Sequence, residues 1–312
     1  MSIKISGNTP GGKFKFSGNG AGKSMKISTT GGGGGGGGAF DPLSIGDAIC
    51  WFKADSGIYQ SLSATGAVAS VDGDRTGYWS DQSGQGNHAI ASANDHRPAL
   101  KVVGSKKGVH FEAGFVGPNG GGEPYYAGFL ISNALNGRTQ GGALTIIMAA
   151  NAQTTYWNGN AYDSSLNASA ISYPDTSQFR MGFDYNPGNP GHATIRLVSG
   201  GDGDPSQRRT IASGTDYVQS VVQSAASSYW DGTADNFVNG VQAEHIVGSS
   251  PPNYGARFDQ FLATGNGYPF AIGSDGNSGY LGVIYEVLVY NKALSAGERA
   301  SVEGYLNTKY GI

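Results

Sequence analysis

Residues 281–290 are apolar at almost every position, and this limits the folds open to the chain more than any other stretch. Leu281, Val283, Tyr285, Val287 and Val289 form one alternating set, and Ile284, Leu288 and Tyr290 the other, with Glu286 the single interruption. A strand whose alternating sets are both apolar needs cover on both faces, so the pattern predicts a central strand and not an edge. A short polar turn follows. Ser295 and Glu298 then have the spacing of a capping box, and Val302, Tyr305, Leu306 and Lys309 fall on one helical stripe before Gly311. These features predict a short amphipathic helix at the end of this sequence.

The run Tyr290-Asn291-Lys292-Ala293-Leu294-Ser295, the pair Glu298-Arg299 and the ending Tyr305-Leu306 with Lys309-Tyr310-Gly311 resemble the closing segment of laminin-G-like (concanavalin-A-like) jelly rolls. The other end of the body agrees. Trp51 with Ala54, Asp55 and Gly57 comes first, then Trp79-x-Asp81-x-Ser83-Gly84-x-Gly86-Asn87, then Arg97-Pro98, then Gly108-Val109-x-Phe111. This order is similar to the opening half of the same family. The resemblance spans roughly residues 41–312 and is weaker in the middle. It implies an all-β fold: a two-sheet antiparallel jelly-roll sandwich, with the C-terminal helix covering an end or edge. Composition points the same way. The chain has 53 glycines, 17 tyrosines and 13 phenylalanines but only 14% charged residues, which suits short strands joined by turns.

Between the two ends, residues 143–150 read as a buried strand, and residues 178–183, 193–198, 217–222 and 227–232 as further strands. Val238-Asn239-Gly240-Val241 carries an Asn-Gly hairpin signal and looks like a hairpin of the same family. Turn-rich residues 151–175, 200–206 and 248–267 read as long surface loops, where function usually resides.

Ahead of the body, residues 1–30 carry five lysines and no acid, so a net charge of −3 for the chain leaves −8 on the remainder. A basic segment suits nucleic acid, a membrane surface or an acidic protein partner, and the acidic body disfavours non-specific nucleic-acid binding. Three short pieces in this tail alternate apolar residues with Lys or Ser: Ile3 and Ile5, Phe14 and Phe16, Met25 and Ile27. Alone they are too small to bury a core. Such a segment is either unstructured or ordered by adding strands to a neighbour's sheet, and the repeated alternation favours an assembly anchor. Eight consecutive glycines, residues 31–38, follow it, with a random-coil span of roughly 15–17 Å. No Gly-Lys-Ser/Thr closes this tract, so it is not a phosphate loop. The expected organisation is an anchor over residues 1–30, a linker over 31–40 and a jelly roll over 41–312.

The sequence offers no catalytic set. Glycosidases on this fold place carboxylates on one strand as Glu-x-Asp-x-x-Glu, and none of the six glutamates begins that pattern. Asp72 with Asp74, and Asp202 with Asp204, have the spacing of an acid–base pair or of calcium ligands. The glycines between them favour turns instead, and no metal site is assigned. The five histidines show no zinc-binding spacing, and no Gly-x-Ser-x-Gly elbow is present. Cys50, the sole cysteine, excludes an intrachain disulfide and reads as a small buried hydrophobe. No cofactor is implied. Adjacent aromatics at Tyr125-Tyr126, Tyr156-Trp157 and Tyr229-Trp230 are candidates for stacking on sugar rings. Tyr156 and Trp157, in a Gly/Asn-rich loop, are the better surface pair, and Trp230 the better core residue.

The first residues lack the apolar stretch of an export signal, and no run approaches a membrane span, so synthesis without export is expected. Domains with similar C-termini occur in virion proteins of tailed bacteriophages. That resemblance implies a non-enzymatic virion component (head decoration, tail or fibre) made in the host cytoplasm and assembled as a homo-oligomer or within a symmetric particle. Its partners would be other virion subunits through residues 1–30 and host-surface glycans through the body. A carbohydrate-binding module or adhesin, and a divergent polysaccharide hydrolase, are the alternatives.

Overall fold

The computed structural model describes residues 40–115, 125–127, 130–135, 142–153, 168–172, 179–185, 192–199, 206–224, 234–246, 270–274 and 279–312. The predicted anchor, and the linker as far as residue 39, lie outside them. In chain order the strands are β1 (Ala48–Lys53), β2 (Ile58–Tyr59), β3 (Tyr78–Trp79), β4 (Ala89–Ala91), β5 (Ala99–Val103), β6 (Lys106–Phe115), β7 (Tyr125–Ala127), β8 (Leu130–Ser132) and β9 (Leu144–Ala152). They continue with β10 (Ala168–Ser172), β11 (Phe179–Tyr185), β12 (His192–Ser199), β13 (Ser206–Ala212), β14 (Asp216–Gln223), β15 (Ala234–Val238), β16 (Val241–Gln242), β17 (Glu244–Ile246), β18 (Phe270–Ile272) and β19 (Gly282–Tyr290), before helix α1 (Ala296–Tyr310).

Among the described residues these strands form two antiparallel sheets. The first runs β16-β15-β14-β9-β19-β6-β5, with β1 also paired to β19 and β7 to β6. The second runs β17-β13-β12-β11-β10-β18-β8-β4-β3-β2. As its sequence requires, β19 is central. It pairs with β9 along its whole length, and on its other edge with β6 through residues 282–284 and with β1 through residues 286–290. Every residue of β9 and of β19 is buried.

The faces of β19 depart from simple alternation. A register irregularity between Ile284 and Glu286 places Tyr285 and Glu286 consecutively on the same side, as a β-bulge does. Ile284 ahead of the bulge and Val287 and Val289 beyond it join the core between the sheets, whereas Val283 and Tyr285, then Leu288 and Tyr290, lie under the helix. The expectation that Val283, Tyr285, Val287 and Val289 share a face fails here, because one extra residue exchanges the faces of all that follow.

Helix α1 begins with the predicted capping box: the Glu298 N–H donates to Ser295 Oγ and the Ser295 N–H to Glu298 Oε2, at 3.3 and 2.8 Å. Gly311, in the left-handed region, ends it. Val302 and Leu306 are fully buried against Trp51, Ile147, Val218 and Leu288, and each burial contributes about 1.5–3 kcal/mol. The helix therefore covers the outer face of the first sheet, not an end or edge. β9 shows the consequence: Ile146, Met148 and Ala150 point into the sandwich while Ile147 and Ala149 meet the helix layer.

The inter-sheet core contains Phe52, Trp79, Phe111, Met181, Tyr217, Ile272 and Tyr280. At one margin a side chain joins the sheets. Gln207 of β13 accepts from the Asn236 N–H of β15 at 2.6 Å and donates to the Ala234 carbonyl, and Gln219 Nε2 donates to Asn236 Oδ1. The Asn-Gly hairpin forms as predicted between β15 and β16, with Asn239 and Gly240 both at positive φ as a type I′ turn requires. β10 lies in a stretch that reads as loop in the sequence, and it is held by pairing with β11 and β18. The strand expected over residues 227–232 lies outside the described residues.

Candidate binding face

The motif residues that resemble the jelly-roll family are engaged in holding the fold. The buried Asp81 carboxylate accepts from the Trp51 N–H at 2.9 Å, the Ser83 N–H and hydroxyl at 2.8 Å each, and the Asn87 N–H at 3.0 Å. Asn87 Nδ2 in turn donates to the Ile49 carbonyl. This fastens the loop over residues 81–87 to β1. Gly84 and Gly86, at φ +85° and +76°, allow the chain to curl around the carboxylate. Arg97 donates to the Gln60 and Asn94 carbonyls.

Other acids are engaged too. Asp72 accepts from the Val102 N–H and from Lys101, and these hold its carboxyl below the usual range. Asp74 accepts from the Val71 and Ser70 N–H groups, which lower its pKa likewise. This pair is a turn docked on the edge of β5. Asp216 accepts from Tyr285, Asn151 and Lys106. Glu303 accepts from Ser220 and Arg299, whose guanidinium lies 3.6 Å from the centre of the Phe237 ring. Glu286, fully buried, accepts from Trp51 Nε1 at 2.6 Å and from Lys309 and the Tyr310 hydroxyl at 2.7 Å each. Burial, followed by the Glu286 charge, pushes the Tyr305 and Tyr310 hydroxyls well above the ordinary tyrosine range. Among the described residues no three His, Cys, Asp or Glu side chains gather as a metal site. Cys50 is fully buried, and burial raises its thiol well above the usual value.

Several sequence candidates lie outside the described residues: Tyr156 and Trp157, Tyr229 and Trp230, Asp202 and Asp204, and the anchor positions Ile3, Ile5, Phe14, Phe16, Met25 and Ile27. Tyr125 and Tyr126 lie on β7, at the margin of the first sheet.

The two outer faces of the sandwich differ. On the helix side, Phe40 lies against Tyr305, with ring centroids 6.4 Å apart, and Tyr290 and Lys292 donate to the Pro42 and Ile45 carbonyls. The chain thus enters the body on the layer formed by α1. On the opposite side, strand pairing aligns Val68, Tyr59, Tyr78, Ile90 and Ile131 in one row across the second sheet. Their neighbours Ile58, Trp79, Ala89 and Leu130 point inward to the core. Val68 is 57% exposed and Ile90 38%; Tyr59 and Ile131 are half-buried and Tyr78 is buried. The Tyr59 and Tyr78 rings meet edge-on at 5.8 Å, and the His88 imidazole lies 5.0 Å from Tyr78. None of the five residues in the row is charged. Sequence reading missed this row because β2, β3, β4 and β8 are two or three residues long, too short for alternation to register.

No family model matches the chain, and no curated protein matches it. Solved structures with a similar chain path include the binding domain of botulinum neurotoxin DC in complex with rat synaptotagmin II, at 10% identity and TM-score 0.45, covering 83% of this chain. This chain corresponds to 52% of that domain. Trypanosoma rangeli sialidase in complex with sialic acid matches at 11% identity and TM-score 0.40, over 84% of this chain and 33% of the sialidase. An arabinofuranosidase complexed with arabinofuranosyl-alpha-1,2-xylobiose matches at 13% identity and TM-score 0.48, over 85% of this chain and 64% of the enzyme.

Proposed function

We propose that this chain is a non-enzymatic virion structural protein of a tailed bacteriophage, attached through residues 1–30 and displaying the jelly roll outward for contact with host-surface glycans. The supporting observation is the position of Phe40. The chain enters the body on the helix-covered face, which suits attachment on that side with the second sheet's outer face turned away. The octaglycine before Phe40 gives that attachment slack, and the alternating pieces of the tail suit strand addition to neighbouring subunits. The engagement of Asp72, Asp74, Asp81, Asp216, Glu286 and Glu303 in turns and buried networks supports a binding role over a hydrolytic one. Deleting residues 1–30 should abolish incorporation into particles while the body still unfolds cooperatively. Incorporation at the full-length level would refute the anchor.

A further inference from the structure

We infer that the row Val68–Tyr59–Tyr78–Ile90–Ile131 is a docking platform for an uncharged, extended polysaccharide. The inference rests on the display reading above and adds to it the surface and the chemical class of the ligand.

The row is linear, because its members are paired residues on adjacent segments of one sheet. Neighbouring strands lie ~4.8 Å apart, so five segments span about 19 Å. That repeat is comparable to the ring-to-ring repeat of an extended polysaccharide, so sugar rings lying along the row meet its exposed and half-buried members Val68, Tyr59, Ile90 and Ile131. The strands that carry the row are held by their inward-pointing residues Trp79, Ala89 and Leu130 in the core, which limits the ordering cost of binding.

Polar groups complete the platform. Tyr59 and Tyr78 bring phenol hydroxyls. His88 Nδ1 accepts from the Asp81 N–H at 3.1 Å, so in the neutral ring the proton sits on Nε2, which is left as a donor. Apolar surface with a few fixed donors is the chemistry that recognises the apolar faces and hydroxyl rims of sugars. Charge selects among sugars. The row is uncharged, and a body carrying −8 outside residues 1–30 repels polyanions, so acidic glycans are disfavoured. Phe40, the first described residue, lies against Tyr305 on the opposite face, so the row is on the side away from this point of entry.

The test is affinity electrophoresis of the full-length chain in gels containing uncharged glucan, mannan or galactan, or anionic hyaluronan, with the variants Tyr59→Ala and Ile90→Asp. Val241→Asp, at an exposed aliphatic position on the hairpin of the other sheet, is the control. Retardation by at least one uncharged polymer is expected, weakened tenfold or more by Tyr59→Ala and by Ile90→Asp, and unchanged by Val241→Asp. Unaltered thermal unfolding of Ile90→Asp keeps the comparison valid, and Tyr59→Ala serves if it does not. Binding that ignores both row variants overturns the platform and leaves glycan contact by another surface standing. Binding to hyaluronan alone overturns the ligand class. No retardation by any polymer overturns both the platform and the glycan part of the display reading, while particle incorporation tests the anchor separately. Concentration-dependent self-association of the wild type abolished by Ile90→Asp makes the occupant a second copy and likewise overturns the inference.

Discussion

Replacing Lys309 by methionine tests whether the helix is held to the sheet by one buried ion pair. The Lys309 ammonium lies 2.7 Å from Glu286 Oε2 and 3.0 Å from Asp55 Oδ2, and Glu286 is fully buried in the central strand. Removing one partner of a buried pair costs about 3–5 kcal/mol, chiefly because the other charge stays buried. Here the carboxylate keeps Trp51 Nε1 and the Tyr310 hydroxyl, and the Lys309 side chain is 22% exposed, so the lower end applies, about 3 kcal/mol. For a body of this size that is a fall of roughly 6–12 °C in melting temperature. Adding Glu286→Gln to Lys309→Met removes the stranded charge and leaves a neutral amide beside the indole N–H. The double variant should therefore recover at least about 1 kcal/mol over the single one, as coupled partners do. Urea unfolding of wild type, both singles and the double measures the cycle. A Lys309→Met variant within about 0.5 kcal/mol of wild type, or strictly additive effects, would refute the reasoning.

Asp81→Ala should destabilise the body by about 3 kcal/mol, since the Trp51, Ser83 and Asn87 N–H groups lose their acceptor and each buried unsatisfied group costs about 1–3 kcal/mol before water reaches it. Hydrogen exchange at the Trp51 amide should accelerate in the same variant, and an unchanged rate would contradict the proposed fastening of the loop to β1. The Glu298 carboxyl is held down to about 2, first by Lys292 and then by the Ser295 N–H. A carboxyl depressed in the folded state stabilises above the ordinary carboxylate range, and that contribution disappears as pH falls towards 2. Glu298→Gln should therefore flatten the acid side of the stability profile between about pH 4.5 and 2, and an identical slope in the variant would remove Glu298 as a contributor.

The sequence shows the centre of the fold more clearly than its margins, for physical reasons. β9 and β19 are buried on both faces, so their residues are apolar almost without break, and composition alone marks them. The helix is legible from its capping box and stripe. β13 is not, because its buried position is Gln207, whose amide bridges the two sheets where an apolar side chain would be expected. The bulge in β19 is invisible for a related reason. Both registers bury apolar residues, and only the position of Glu286 beside Lys309 and Tyr310 distinguishes them. The motif Trp79 to Asn87 was legible as a resemblance, but its chemistry proves to be hydrogen bonding to β1, so its sequence signal reports on folding.

The two sheets differ in what covers them. The first is covered by the second on one side and by α1 with residues 40–45 on the other, and its polar groups at Glu286, Glu303 and Asp216 are taken up by Lys309, Arg299, Lys106 and their neighbours. Such a sheet has stability to offer and little surface. Among the described residues no helix or further sheet is layered on the outer face of the second. There the aliphatic and aromatic row is partly exposed even though the same side chains would be more stable under cover. An exposed apolar row on the face away from the point of entry is what a displayed ligand surface requires, and a protein that used its helix face for ligand would have to displace the layer that holds β19. The proposed display reading therefore puts attachment on the helix side and recognition on the second sheet.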